Sequence, residues 1–481
     1  MSPVLAQLRA QVANIMADRG RRLWPLMTLA LMAGCSQAPA YQPPQIALPQ
    51  HFREAGPWVP AAPAAPPRAN GWWRALGDPA LDQLEARLDS DNPDLQAALA
   101  RHRAAIATLG EARAATLPTV GIGAEATASR QSDHRPLRGA NQPDLYGIDT
   151  LGVSASYEVD LWGRVSNIVQ GAQAKAVASA DDVAAVRLAL EADLASGMIA
   201  LRGVDDEIGI LDDAVAAYRR ADEVTRHRFD GGIASGIDVG RADAQLADAE
   251  AQLADLRNIR AGVDHAMARL VGAQASTLTI APATVRLVPL AFPAVMPSTL
   301  LQRRPDVAAA ERRMYAANRA IGVAKAAWFP AIGLGGDAGF QSTALAGLVS
   351  APNIMWSIGP QVVATVFDGG RRHAQLAAAR ANWDEATSQY RATVLTAVQQ
   401  VEDGLSRWRR LGEEGEAEDR AAAAAGQAAR LSYDRYVKGA ANLLDVVIAQ
   451  NAELSARRRA EQIHTQRLAV SVALVRALGG A

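Results

Sequence analysis

Four short segments of this chain alternate apolar and polar residues with a period of two. In the first, Val120, Ile122, Ala124, Ala126 and Ala128 share one face, and Gly121, Gly123, Glu125, Thr127 and Ser129 share the other. In the second, Leu151, Val153, Ala155, Tyr157, Val159 and Leu161 oppose Gly152, Ser154, Ser156, Glu158 and Asp160. In the third, Ile332, Leu334, Ala338 and Phe340 oppose Gly333, Gly335, Asp337 and Gln341. In the fourth, Trp356, Ile358, Val362, Ala364 and Val366 oppose Ser357, Gly359, Gln361 and Thr365, with Val363 out of phase and Pro360 awkward for a ladder. The spacing predicts strands near 119–131, 151–162, 331–341 and 356–367. Such alternation over about ten residues fits a strand crossing a bilayer, lipid on one side and water on the other. A soluble, half-buried sheet also alternates. In lipid, however, unpaired strand edges are forbidden by the cost of unsatisfied backbone groups. Four strands cannot close a barrel. Two chains give eight, an interior filled by side chains, and three give twelve, with room for water. A pore built from this chain therefore calls for an oligomer, and three copies is the economical number.

The segments belong to an internal duplication. Pro93-Asp94-Leu95 answers Pro305-Asp306-Val307 at an offset of 212 residues, and Ala114 to Pro118 answers Ala326 to Pro330 at the same offset. Beyond the first strand the offset becomes 207: Gly163-Arg164 matches Gly370-Arg371, Gly232 matches Gly439, and Asp238-Val239 matches Asp445-Val446. Each half reads in one order: a helix (93–116, 305–328), two strands, a very long helix, a glycine-containing turn and a return helix. The long helix of the first half repeats apolar residues from Val183 through Leu190, Leu194, Met198 and Leu201 to Tyr218, 35 residues in ten steps. A mean step of about 3.5 implies a left-handed supercoil. One continuous helix over residues 163–229 would measure ~100 Å at 1.5 Å per residue, a length suited to a projecting tube or rod. The turns Phe229 to Asp238 and Tyr436 to Asp445 reverse the chain; glycine permits the bend, and the aspartates can cap the return helices.

The N-terminus carries an address. Arg19, Arg21 and Arg22 precede a 12-residue apolar stretch, Leu23 to Gly34, too short for a stable span, which ends Leu31-Met32-Ala33-Gly34-Cys35. This resembles a bacterial lipobox, with Met32 at a position more often leucine; Ser36 in place of aspartate favours sorting to the outer membrane. The predicted organisation is a signal peptide over 1–34, a lipidated proline-rich linker over 35–70 holding nine prolines, a first repeat over 71–272, an insert over 273–304 and a second repeat over 305–481. Cleavage before Cys35 leaves no run of 18 apolar residues, so no transmembrane helix is expected. Met16 is an alternative start.

Composition narrows the chemistry. Lys+Arg 49 against Asp+Glu 50 leaves a formal charge of −1, so no basic field recommends nucleic acid. One cysteine excludes an internal disulfide framework, and seven scattered histidines argue against a metal centre. There is no GxSxG, HExxH or phosphate-binding loop, and no enzyme is expected. Glu158 and Asp160, two apart on one strand face, read as structural or lumen-lining rather than as a catalytic pair. A lipid-anchored coiled-coil scaffold without a pore is the competing class, and it has no use for four bilayer-crossing strands.

Several motifs in order carry a family resemblance. Gly71-Trp72-Trp73 with Asp78-Pro79-Ala80-Leu81, Asn92-Pro93-Asp94-Leu95, Tyr157 to Arg164, Leu300 to Val307 with Glu311, Phe367-Asp368-Gly369-Gly370-Arg371 and the closing Ala477-Leu478-Gly479-Gly480 resemble the TolC-like outer-membrane factors, in their lipoprotein branch of NodT and OprM type. Tyr157 replaces a family tryptophan. The resemblance implies a mainly α chain with a transmembrane β-barrel, in which a homotrimer forms a 12-stranded barrel continuous with a 12-helix periplasmic coiled-coil tunnel. It implies an outer-membrane exit duct of a tripartite efflux pump, conducting small molecules passively; type I protein secretion is the alternative within the same architecture. The implied partners are a periplasmic adaptor (membrane fusion) protein, an inner-membrane pump of the resistance-nodulation-division type and outer-membrane lipid. No cofactor is implied beyond covalent lipid, including palmitate, on Cys35. The adaptor would dock on turns marked by Gly232, Gly236, Gly439 and Asn442. The closed tip would be held by Asp445 and Leu444, supported by Asp238; a second family aspartate position holds Ile448, so a single carboxylate ring is expected. Such a ring attracts cations.

Overall fold

The four alternating segments pair into one antiparallel sheet in the order β1-β2-β3-β4. The computed structural model describes residues 36–44, 46–47, 49, 52–55, 71–132, 134, 143–283, 285–290 and 303–480. In chain order these form α1 (Pro79–Asp91), α2 (Pro93–Ala114), β1 (Thr119–Arg130), β2 (Leu145–Glu158), α3 (Arg164–Asp230), α4 (Gly236–Leu270), α5 (Pro305–Ala326), β3 (Ala331–Ser342), β4 (Ile354–Val363), α6 (Arg371–Val437) and α7 (Leu443–Ala477). The chain is mainly helical. Two compact units divide it, one from Met1–Pro44, Arg103–Ala178 and Ala310–Gln389, the other from Gln45–His102, Ser179–Ala309 and Tyr390–Ala481.

The first unit holds the sheet. Its register places Ile122, Val153, Ala338 and Trp356 in one row across the strands, and Ala124, Leu151, Phe340 and Ile354 in another. The apolar positions thus share one face. Ile122, Trp356 and Ile358 are 79, 74 and 71% exposed, so no described residue covers them on that face. Two strands differ from expectation. β2 begins at Leu145 rather than near 151, because the ladder follows β1 to its end, pairing Arg130 with Leu145, although Ile148 and Asp149 break the alternation. It stops at Glu158 rather than near 162, because Asp160 leaves the ladder to cap α3: its carboxylate accepts from the backbone N–H of Val165 (3.1 Å) and Ser166 (2.7 Å). β4 runs from 354 to 363 rather than 356–367, and Asp368 takes the matching role, accepting from the N–H of Gly370 and Arg372. Pro360 is accommodated on β4, an edge strand of this sheet, opposite Leu334. The helices before β1 and β3 end at Ala114 and Ala326, two residues short of expectation; Pro118 and Pro330 follow closely.

In the same unit the start of the expected linker is held on helices. The Ser36 hydroxyl donates to Asn167 Oδ1 at 3.0 Å. Arg319 donates to the carbonyl of Pro39 at 3.3 Å, and Tyr41 donates to Glu311 Oε1 while its ring meets Tyr315 edge-on. No local pattern announces these partners, which lie more than a hundred residues away.

The second unit holds the largest apolar core. Leu190, Leu194, Met198 and Leu201 of the α3 stripe are buried against Leu81, Leu84, Leu88 and Leu95, with Met267, Val472 and Val475. The insert joins here without helix or strand over residues 274–283 and 285–290: the Val288 N–H donates to Leu76 O, and the Leu290 N–H to the Ser471 hydroxyl. Arg202, 4% exposed at its side chain, binds Asp78 at 2.8 Å and the Ala281 carbonyl at 2.9 Å. Asp78 is also the N-cap of α1, accepting from the Ala80 N–H. α3 and α6 are each unbroken over 67 residues, as the stripe predicted for the first.

Candidate functional site

Two helical turns carry the candidate site, and the same hydrogen-bond pattern builds both. At the end of α3, the Ile233 N–H donates to Arg228 O and the Gly232 N–H to Phe229 O; at the end of α6, the Ala440 N–H donates to Arg435 O and the Gly439 N–H to Tyr436 O. These are Schellman closures, which need a left-handed residue just past the helix. Gly232 and Gly439 supply it at φ 72° and 75°. Gly236 has no such duty: it is the first residue of α4, outside the positive-φ set.

The return helices start differently. Ser235 caps α4, accepting from the Asp238 N–H, while the Asp238 carboxylate accepts from the Ser235 hydroxyl (2.7 Å) and N–H (3.1 Å), closing a capping box. Bonds from the Ser235 hydroxyl and amide hold the Asp238 carboxyl below the usual carboxylate range. Asn442 caps α7, accepting from the Asp445 N–H at 2.9 Å. The expected capping role of the two aspartates is thus corrected. The caps are Ser235 and Asn442; Asp238 completes a box, and the Asp445 side chain lies exposed.

The turns are tied together. Arg228 donates to the carbonyl of Tyr436 at 2.6 Å and stacks over its ring at 4.3 Å, and the hydroxyls of Thr225 and Tyr436 meet at 2.9 Å. Behind them Ala242, Tyr436, Leu443 and Val446 form a small core. Leu444 and Ile448 lie outside it, 41 and 59% exposed, on the same helix surface as Asp445. Phe229, Ile233 and Ile237 give the first turn its own exposed apolar rim. Sequence reading begins the second turn at Tyr436 but does not pair it with Arg228, and that pair locks the turns. Cys35 and the expected leader lie outside the described residues, and no metal-binding group of three or more side chains occurs among the described residues.

Comparison with known proteins decides the class. The family described as outer membrane efflux protein matches residues 86–273 and 296–480. The chain is 30% identical over 464 residues to the outer membrane protein OprJ of Pseudomonas aeruginosa, covering 95% of each. The chain belongs to the outer membrane efflux protein family. It is 31% identical over 462 residues to the pyoverdine export outer membrane protein OpmQ of the same species, covering 94% of each, and 29% identical over 456 residues to the toluene efflux pump outer membrane protein TtgC of Pseudomonas putida, again covering 94% of each. Among solved structures, the outer-membrane channel OprN matches with a TM-score of 0.86 at 28% identity, over 93% of this chain and 99% of that one. The outer membrane protein VceC of Vibrio cholerae matches at 0.80 and 27%, over 86% and 99%. This outer membrane efflux protein is therefore a channel component of the outer membrane, from a transport family rather than an enzyme family.

Proposed function

We propose that three copies of the chain close a 12-stranded barrel in the outer membrane, continuous with a 12-helix periplasmic tunnel, and conduct small molecules passively from a periplasmic adaptor and a resistance-nodulation-division pump to the exterior. The observation that carries this reading is the sheet: β1 and β4 each have one strand neighbour, and one face is apolar and uncovered. In hydrocarbon such edges must be paired, and other copies of the chain offer the matching strands. The relatives' names, which include antibiotic and toluene efflux pumps and pyoverdine export, support a small-molecule cargo.

The paired turns form the periplasmic end. Their apolar rims and the bends at Gly232, Gly236, Gly439 and Asn442 offer the adaptor a surface, and the exposed Asp445 and Leu444 form the constriction. Asp238, committed to its capping box, is the weaker contributor. Lipid on Cys35 anchors the chain, and Ser36, the next residue, is fixed at Asn167.

Purified protein in a planar bilayer tests the reading. Stepwise conductance from a trimeric species is expected; a monomer that gives none overturns it. Within a conducting trimer, Asp445→Ala raises single-channel conductance, and an unchanged conductance removes Asp445 from the gate. Export of a protein substrate rather than small molecules would move the duct to type I secretion.

A further inference from the structure

Four helix faces of the first unit enclose a groove of about 1040 Å³. Its wall comes from α2, α3, α5 and α6, each contributing residues three or four apart, so one stripe of each helix faces it. On α5 the stripe is Ala316, Ala320, Ala324 and Ala327, and alanine and glycine make up more than half of the whole lining. A methyl group fills little of the space between four helices, which leaves the concavity open. At one end the lining reaches Ala115 and Arg164, a few residues from the ends of β1 and β2.

Some polar groups on this wall are already engaged. Arg164 donates to Glu158 Oε1 at 2.7 Å, Asn167 Oδ1 accepts from the Ser36 hydroxyl, and the Thr108 hydroxyl donates to the Ala104 carbonyl at 3.1 Å. Four others are not. Glu111 on α2, Lys175 on α3, and Gln375 and Asn382 on α6 have no hydrogen bond or ion pair among the described residues. The groove thus offers one carboxylate, one ammonium and two amides around an apolar floor. Small-molecule sites combine an apolar lining, about 300–1,000 Å³ of space and a few convergent polar groups. An unpaired charge of each sign, on different helices, matches a ligand that carries both.

We propose that this groove is a transient binding site for cargo, and that the cargo it takes is a zwitterionic amphiphile. The apolar body lies against the alanines, the cationic group at Glu111 and the anionic group at Lys175. This rests on the reading that the chain conducts small molecules. Conduction requires release, so binding is weak, with a Kd of roughly 0.1–1 mM.

The probe is Nε-dansyl-lysine, a zwitterion whose fluorescence rises in apolar surroundings, titrated into the purified full-length protein in lipid nanodiscs. One site per chain is expected. Glu111→Gln and Lys175→Met should each weaken binding roughly fivefold, as loss of one exposed ion pair does. Ala320→Trp, which fills the groove, should remove the site. Dansylcadaverine, the cationic analogue, should be weakened by Glu111→Gln and not by Lys175→Met. Equal affinity for dansyl-lysine in all three variants overturns the proposal. So does loss in Ala320→Trp with none in the two charge variants, which would make the occupant an uncharged chain such as a lipid tail. Planar-bilayer conductance of the same preparations separates the two readings. A conducting parent protein without the site loses the groove and keeps the duct. A parent protein that does not conduct removes the duct, and with it the groove's part in conduction, whatever it binds.

Discussion

The two halves of the chain share a skeleton and differ in chemistry. Each builds a 22-residue helix, a 12-residue strand, a 67-residue helix and a 35-residue return helix; only the second strands differ, 14 residues against 10. Even the helix ends match: Gly272 and Gly479 close α4 and α7 with the same pair of backbone bonds, 207 residues apart. Yet equivalent side chains have different neighbours. Arg202 is buried against Asp78, whereas its counterpart Arg409 meets Glu54 with 40% of its side chain exposed. Glu191 is buried and accepts from the Trp72 indole, whereas its counterpart Val398 packs on Val401. Backbone length is fixed by helix and strand register, which must agree along the whole element. A side-chain contact is fixed only by what lies opposite, and each half faces different segments.

The arginine pair gives the sharpest way to break the symmetry. Arg202→Met strands the Asp78 carboxylate, 4% exposed, beside an apolar core. Removing one partner of a buried pair costs about 3–5 kcal/mol. Arg409→Met at the equivalent position opens a more exposed pair, worth about 1 kcal/mol or less. Unfolding midpoints in denaturant should separate the two variants widely. Equal shifts would mean that burial does not govern the difference.

Glu85 sharpens the contrast through pH. It is 3% exposed, and neither carboxylate oxygen has a hydrogen-bond partner. Burial, with the charges of Glu191, Asp82 and Asp89, pushes it up to about 9. The folded state therefore holds this proton more tightly than the unfolded chain, whose value is 4.5. The resulting stability is fully present below 4.5 and is lost as pH rises towards 9. At pH 7 the loss is on the order of 3 kcal/mol at about 1.4 kcal/mol per unit. Glu85→Gln should flatten the decline in stability between pH 5 and 8. An unchanged slope would place the linkage elsewhere, at Glu191, Asp206, Glu453 or Glu461, each also raised by burial.

Much of this was legible in the residues. Alternation placed the four strands, and a repeated offset found both turns before any contact was known. The rest depended on partners far away in sequence. The first residues of β2 were missed because Asp149 stands on the apolar face, and pairing with Ala126 of β1 and Ser342 of β3 holds it in the ladder. Arg202 and Asp78 are separated by 124 residues. Glu85 did leave a trace: Leu81, Leu84, Glu85 and Leu88 follow the three- and four-residue steps of a buried stripe, so a carboxylate on the inner side of α1 could have been read. At the tip, the glycines were found by type, but the cap was assigned to the wrong residue, since aspartate three places into a helix looks much like a cap until the Ser235 and Asn442 bonds are seen.

Those caps provide the finest comparison. Ser235→Ala removes both hydroxyl bonds of the box, the one accepted from the Asp238 N–H and the one donated to its carboxylate, while Asn442→Ala removes one bond at the equivalent place. Each should cost ~1 kcal/mol of local helix stability, read as faster hydrogen exchange at the Asp238 and Asp445 amides. Only the first should depend on acid. Asp238 is depressed by its Ser235 bonds, so its contribution is present above the unfolded value of 3.8 and is lost as pH falls through the lower folded value. In the parent protein, acidification should therefore loosen the start of α4 and leave that of α7 unchanged, and Ser235→Ala should abolish the difference. If both ends loosen together in acid, the two halves are closed by the same electrostatics, and the distinction between an engaged Asp238 and an open Asp445 is lost.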